Sequence, residues 1–152
     1  MISSWFWLAP TASVAALIFA GYLTQSIMRR DEGTPRMKEI AAAVREGAGA
    51  YLKRQYAGVA LFFAGMFLLL LFFAVRGYLT IYVPFAFLTG GFFSGLAGYI
   101  GMNVATRSSS RTAHSASRSL NEGLRVAFSS GAVMGLVVVG LGLLQLSLWY
   151  LF

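Results

Sequence analysis

At 152 residues the chain has the length of one soluble domain, yet 58% of its residues are apolar, only 11% are charged, and mean hydropathy is +0.71. Ordinary globular proteins carry roughly 25% charged residues, so this composition excludes a conventional water-soluble fold. The net charge of +7 does not indicate a nucleic-acid partner, because the basic residues stand at the ends of apolar runs, and the lack of cysteine excludes disulfides and thiolate metal sites.

The N-terminal MISSWFWLAP has no Lys or Arg before its apolar run, unlike a signal peptide. The first predicted span, from about Trp5 to Met28, is long enough to cross about 30 Å of hydrocarbon as a helix. A polar connection over residues 29–56 follows. It carries Arg29, Arg30, Arg36, Lys38, Arg45, Lys53 and Arg54, seven of the twelve basic residues, and Asp31, Glu32, Glu39 and Glu46, four of the five carboxylates. Thr34-Pro35 suits a helix start, with Thr as N-cap and Pro at the first helical position. Ile40, Val44, Gly47 and Tyr51 then recur at helical spacing with no later proline, so one helix is expected from Pro35 into the second span. Asp31 and Glu32, before that helix, read as solvated turn residues; Glu39 and Glu46, a heptad apart, read as salt-bridge partners on its face.

The second span, Ala57 to Val75, has no polar side chain in 19 residues, and its twelve Leu, Phe and Val residues give an insertion free energy on the order of −4 to −7 kcal/mol. The third, Ile81 to about Thr106, and the fourth, about Val126 to Phe152, mix in Gly, Ser and Thr. Pro10 and Pro84 fall near span starts, where a missing N–H costs little. Trp5, Trp7, Tyr78, Tyr82, Trp149 and Tyr150 lie near span ends, as an aromatic belt requires. Gly91-x-x-x-Gly95 and Gly131-x-x-x-Gly135 predict close helix packing, inside this chain or beyond it, with Phe92 and Phe93 facing lipid or a neighbouring helix.

The connection over residues 107–125 also has helical character, with reversal expected at Asn121-Glu122-Gly123. Arg107, Arg111 and Arg118 fall within about 40° on a helical wheel. This stripe reads as lipid-headgroup contact or as a face for another cytoplasmic domain. Because the connections 29–56 and 107–125 hold almost all the basic residues, positive-inside bias places both in the cytoplasm and both termini outside. The expected fold class is an all-α integral membrane protein, one membrane domain over residues 1–152 with four transmembrane helices and cytoplasmic helical extensions.

Chemistry-bearing residues are scarce. No Asp, Glu, Lys, Arg or His lies well inside a span, so the usual marker of an intramembrane ion path is missing. Gln25, Asn103 and Gln145 read as interhelical hydrogen-bond formers. His114 has no carboxylate at metal-ligand spacing, and Gly47-Ala-Gly-Ala is not followed by Gly-Lys-Ser/Thr, so neither a zinc site nor a Walker-type loop is predicted. No residue is assigned a catalytic, cofactor-binding or metal-binding role.

Three strings carry a family resemblance. GTPRMKEIAAAVREGAGAYLKRQY (33–56) resembles the cytoplasmic segment leading into the second helix of membrane-bound, ion-pumping pyrophosphatases. SGLAGYIGMNVATRSSSRTAHSAS (94–117) resembles their third helix and its extension, and VAFSSGAVMGLVVVGLGLLQL (126–146) their fourth. Ser109 stands where that family usually has Asn, and Gln145 where it often has Gly. The resemblance implies the N-terminal portion of a pump of about sixteen helices that couples Mg-pyrophosphate hydrolysis to outward proton or sodium transport. Its Asp- and Lys-rich motifs begin in the fifth and sixth helices, so no catalytic or ion-gate residue carries over to any position here, and the chain alone is expected to be catalytically incomplete. Mg²⁺ as cofactor, the remaining pump helices and a homodimer as partners, and the bacterial or archaeal inner membrane as location are likewise implied only by the resemblance. A stand-alone four-helix membrane adaptor or a small transporter is the alternative reading.

Overall fold

The structure, a computed structural model, describes residues 4–151, and these contain helices and no β-strand. A 3-10 turn at Ser4–Trp7 leads into α1 (Leu8–Met28), α2 (Pro35–Val75), α3 (Tyr82–Arg118) and α4 (Leu120–Leu151). All four helices are long and apolar enough to cross a membrane, as expected of a multi-pass integral membrane protein. The side chain of Trp5 and the span end at Phe152 lie outside the described residues.

The start of α2 follows from its first two residues. Thr34 has an extended backbone (φ −65°, ψ 160°), its hydroxyl accepts a hydrogen bond from the Met37 N–H at 3.3 Å, and Pro35 occupies the first helical position. The helix then runs unbroken for 41 residues, about 60 Å, through the polar-to-apolar boundary at Tyr56.

The reversal between α3 and α4 differs from the sequence expectation. The chain breaks at Ser119 alone, in an extended conformation (φ −158°, ψ 134°), and Asn121, Glu122 and Gly123 belong to the first turn of α4. Gly123 serves packing instead of chain reversal. It is buried on the last turns of α3, and a Cβ there would stand 2.6 Å from Ala116 Cβ and 2.8 Å from Ala116 Cα. The two helices can therefore start their contact at the first turn.

α4 lies between α1 and α3, and α2 packs on the outer side of α3. The buried core is small in side-chain volume: Ala20 and Ile27 from α1, Ala97 and Val104 from α3, and Val126, Val133, Val137 and Leu141 from α4. Lipid offers no hydrophobic drive for helix association, so close van der Waals fit and interhelical hydrogen bonds hold the bundle. Leu17 lies against Gly140, whose carbonyl accepts from the buried Ser13 hydroxyl at 2.6 Å. The Ser108 and Ser130 hydroxyls meet at 2.7 Å, and the Trp149 indole N–H donates to Thr89 Oγ1 at 2.8 Å.

Of the two predicted small-residue pairs, one meets a neighbouring helix of this chain. Gly91 receives the Phe63 ring of α2, and the Tyr56 hydroxyl donates to the Gly95 carbonyl at 2.6 Å. Gly131 and Gly135 meet nothing within 4 Å, so that pair is open on this chain. Phe92 is exposed while Phe93 packs on the core. Of the three amide side chains, Gln145 makes an interhelical bond to the Ala86 carbonyl (3.4 Å), whereas Asn103 donates within its own helix to Tyr99 (2.9 Å) and Gln25 is exposed. Asn103 finds a carbonyl one turn back and so needs no partner helix.

The rings of Phe6 and Tyr150 stack at 4.8 Å, which sets the beginning of α1 beside the end of α4. At the opposite end of the bundle, α3 reaches back to the end of α1. The two basic connections thus meet at one end, where the candidate site lies.

Candidate functional site at the charged end of the bundle

α1 ends at Met28; the backbone N–H groups of Arg29 and Arg30 close the Gln25 and Ile27 carbonyls, which leaves the carbonyls of Met28 and of Arg30 just beyond it to find partners elsewhere. They are met by Arg111, projecting from the extension of α3. Arg111 Nε donates to the Arg30 carbonyl at 3.0 Å, Nη2 approaches the Met28 carbonyl at 3.5 Å, and Nη1 donates to the Arg107 carbonyl one turn back. Its Nη1 also lies 2.9 Å from Glu32 Oε1, and the same oxygen lies 3.3 Å from Arg45 Nη1 on α2. A single carboxylate therefore joins α2 and α3, while the Arg111 guanidinium joins both to the end of α1. A cation at a helix C-terminus also complements the negative end of the helix dipole.

Burial makes this arrangement consequential. The Arg111 side chain is 11% exposed and that of Glu32 22%. A guanidinium removed from water is tolerated only when its donors are matched, and here three carbonyls and a carboxylate match them. Two sequence expectations are corrected here. Glu32 is not a solvated turn residue, because the turn places it between two arginines. The basic stripe is also split: Arg107 and Arg118 are exposed, while Arg111 turns inward onto α1.

The turn itself is shaped by Gly33 and Asp31. Gly33 adopts φ +93°, a left-handed conformation that glycine reaches without a Cβ penalty, and His114 and the Met37 thioether crowd the place where a Cβ would stand. The Asp31 carboxylate accepts from the Gly33 N–H at 3.0 Å and lies 3.9 Å from Lys38 Nζ. The Gly33 hydrogen bond, assisted by Lys38, His114 and Arg118, holds the Asp31 carboxyl below its ordinary value of 3.8. Glu39 pairs with Arg36 at 2.7 Å, and Glu46 is exposed. On the inner face of α3, Ser110 Oγ and His114 Nε2 are buried without a hydrogen-bond partner.

The carboxylates are thus spread out, and two of them are already engaged by arginine. Among the described residues no group of three or more His, Cys, Asp or Glu side chains is gathered. Their donor set does not fit the Mg²⁺ that the resemblance implies, since a dedicated Mg²⁺ site needs oxygen ligands converging in near-octahedral geometry. The site is a clamp, and its chemistry is the fastening of three chain segments at the charged end.

Sequence reasoning named every member of this clamp but did not join them. Arg45, Arg111 and Glu32 are separated by 13 to 79 positions, and no local spacing couples them. The signal closest to the outcome is the Arg within a run of serines, since TRSSSRTAHS has too few charges for a fully solvated helix.

The comparisons with known proteins agree with the strings quoted above. The sequence pattern of the inorganic H+ pyrophosphatase family matches residues 14–152. A Bacteroides thetaiotaomicron protein named "Putative K(+)-stimulated pyrophosphate-energized sodium pump" is 58% identical over 99% of this chain and 21% of its own length. Proteins from Methanosarcina mazei, a "K(+)-insensitive pyrophosphate-energized proton pump", and Moorella thermoacetica, a "K(+)-insensitive pyrophosphate-energized proton pump 2", are 43% and 48% identical, each over 94% of this chain. They are covered over 21% and 20% of their own lengths, so the chain spans about a fifth of the relatives it matches. With the family pattern covering nearly all of its residues, the chain belongs to the inorganic H+ pyrophosphatase family.

Proposed function

We propose that the chain is the N-terminal four-helix portion of a pyrophosphate-energised proton or sodium pump. In this reading, Mg-pyrophosphate hydrolysis elsewhere in the pump drives a cation outward, and this portion braces the helices that do so. The observation that carries the reading is the match over 99% of the chain to a pump of which it covers 21%. The clamp supports the bracing role, because it fastens the ends of α1, α2 and α3 without supplying ligands or nucleophiles. Positive-inside bias orients the clamp toward the cytoplasm, with the termini outside, in a bacterial or archaeal inner membrane. Mg²⁺ and its ligands then belong to the rest of the pump, and this portion helps to support a homodimer of the complete protein.

The test is complementation. The 152-residue chain is expressed alone and together with a relative's polypeptide lacking its matching fifth. Alone, the chain inserts into membranes and releases no phosphate from Mg-pyrophosphate. Together, the two pieces release phosphate, and Arg111→Met in the chain lowers that release. Phosphate release by the purified chain alone would overturn the proposal, and failure of the two pieces to associate would favour an adaptor.

A further inference from the structure

On the charged side of Tyr56, residues of α2 and α3 line a cleft of about 400 Å³. Its charged lining residues are Arg45, Lys53 and Arg107, and it holds no carboxylate. Glu32 offsets Arg45, but Lys53 and Arg107 make no ion pair among the described residues. Asn103 and Thr106 add polar atoms to the α3 wall. Such a cleft favours an anion, and it lies at a defined depth. Lys53 stands four residues, about 6 Å, before the apolar stretch that begins at Ala57, and Arg107 follows the last apolar turn of α3.

Tyr56 and Tyr99 line this cleft and also a second groove of about 770 Å³, which continues along the apolar parts of α2 and α3. This groove is apolar, walled by Val59, Phe63, Leu88 and Phe92. Gly95 provides its open floor: its carbonyl holds the Tyr56 hydroxyl, yet nothing lies within 4 Å of where its Cβ would be. A cationic mouth at headgroup depth thus opens onto an apolar slot running into the hydrocarbon.

We propose that the α2–α3 groove binds one anionic phospholipid, its phosphate between Lys53 and Arg107 and an acyl chain along the slot over Gly95. Charge complementarity favours this occupant over a zwitterionic lipid, and the length and apolarity of the slot favour a lipid over a free anion. Juxtamembrane Lys and Arg residues attract anionic headgroups, and basic pockets between membrane helices retain them.

Native mass spectrometry of the full chain in detergent, titrated with palmitoyl-oleoyl phosphatidylglycerol or the matching phosphatidylcholine, tests the assignment. Binding of phosphatidylglycerol is expected to exceed that of phosphatidylcholine by about tenfold, and Lys53→Gln with Arg107→Gln removes most of that preference. Gly95→Leu fills the slot and weakens binding of both lipids, with helicity by circular dichroism unchanged. Millimolar inorganic phosphate leaves the bound lipid in place. Equal binding of the two lipids, or a preference unchanged in the double variant, overturns the proposal. Displacement by inorganic phosphate reassigns the cleft to a small anion. A chain dimer that excludes lipid and is lost in Gly95→Leu reassigns the groove to a second copy.

Discussion

The unit formed by α1, α3 and α4 and the long helix α2 solve the problem of membrane packing in different ways. In the three-helix unit, small residues lie at the contacts and buried hydroxyls bond across helices, as Ser13 does to the Gly140 carbonyl and Ser108 to Ser130. α2 contributes a single buried residue, Ala41, and lies on the edge of the bundle. Its apolar half leaves many Leu and Phe side chains exposed, and its hold on the bundle comes from a few fixed points: Arg45 on Glu32, Tyr56 on Gly95, Phe63 on Gly91 and Phe87, and Phe67 on Phe85. The difference shows that span formation and span placement are separate matters. Hydropathy suffices for the first, whereas the second depends on a few specific contacts.

The largest effect is expected where both regions meet. Arg111→Met leaves Glu32 half-buried with Arg45 as its remaining partner and uncaps α1, which should cost about 3–5 kcal/mol. Thermal unfolding in detergent, followed by tryptophan fluorescence, reads this loss. A double-mutant cycle with Glu32→Gln should show strong coupling; additive effects would mean that the clamp does not act as a unit.

A pair of glycine substitutions separates packed from open faces. Gly123→Ala pushes a Cβ against the α3 backbone and should destabilise by about 1–3 kcal/mol. Gly135→Ala meets nothing and should be neutral or slightly stabilising, as Ala favours helix over Gly. Equal losses from the two would erase the distinction between the contact side and the open side of α4.

Gly33→Ala forces a left-handed backbone and crowds Met37 and His114, with an expected cost of about 1–3 kcal/mol. Hydrogen exchange should then show earlier opening of the first turn of α2 than of α4.

The smallest effect concerns Asp31. Its carboxyl is held below the ordinary value of 3.8, so the native state binds its proton less readily than the unfolded chain. The stabilisation is therefore full above that value and is lost as pH falls through the lower native value. Asp31→Asn should be slightly less stable than the parent near neutral pH and indistinguishable from it once Asp31 is protonated. A difference that persists at the acid end would assign the effect to geometry instead of charge.

Much of this was legible in the residues themselves. The uninterrupted run from Ala57 to Val75 admits no other reading than a span, and Thr34-Pro35 marks a helix start by local hydrogen bonding and a fixed φ. The clustering of Arg and Lys between spans was equally plain. The reversal at Ser119 was not, because Asn121-Glu122-Gly123 has turn chemistry and only the neighbouring Ala116 shows why a glycine is needed there. Nor was the partner of each glycine pair readable, since a small residue states that something can approach without naming what does.

Taken by itself, the sequence determined the helices, their membrane-spanning character and the family, because these depend on hydropathy, local propensity and strings of adjacent residues. Tertiary structure decided which of the charges became internal. Arg107, Arg111 and Arg118 share one helical stripe, yet only Arg111 meets the Met28 and Arg30 carbonyls at and just beyond the end of α1 together with Glu32. That selection rests on distances between segments far apart in the chain, and interactions of a few ångströms across helices leave no periodic trace along any one of them.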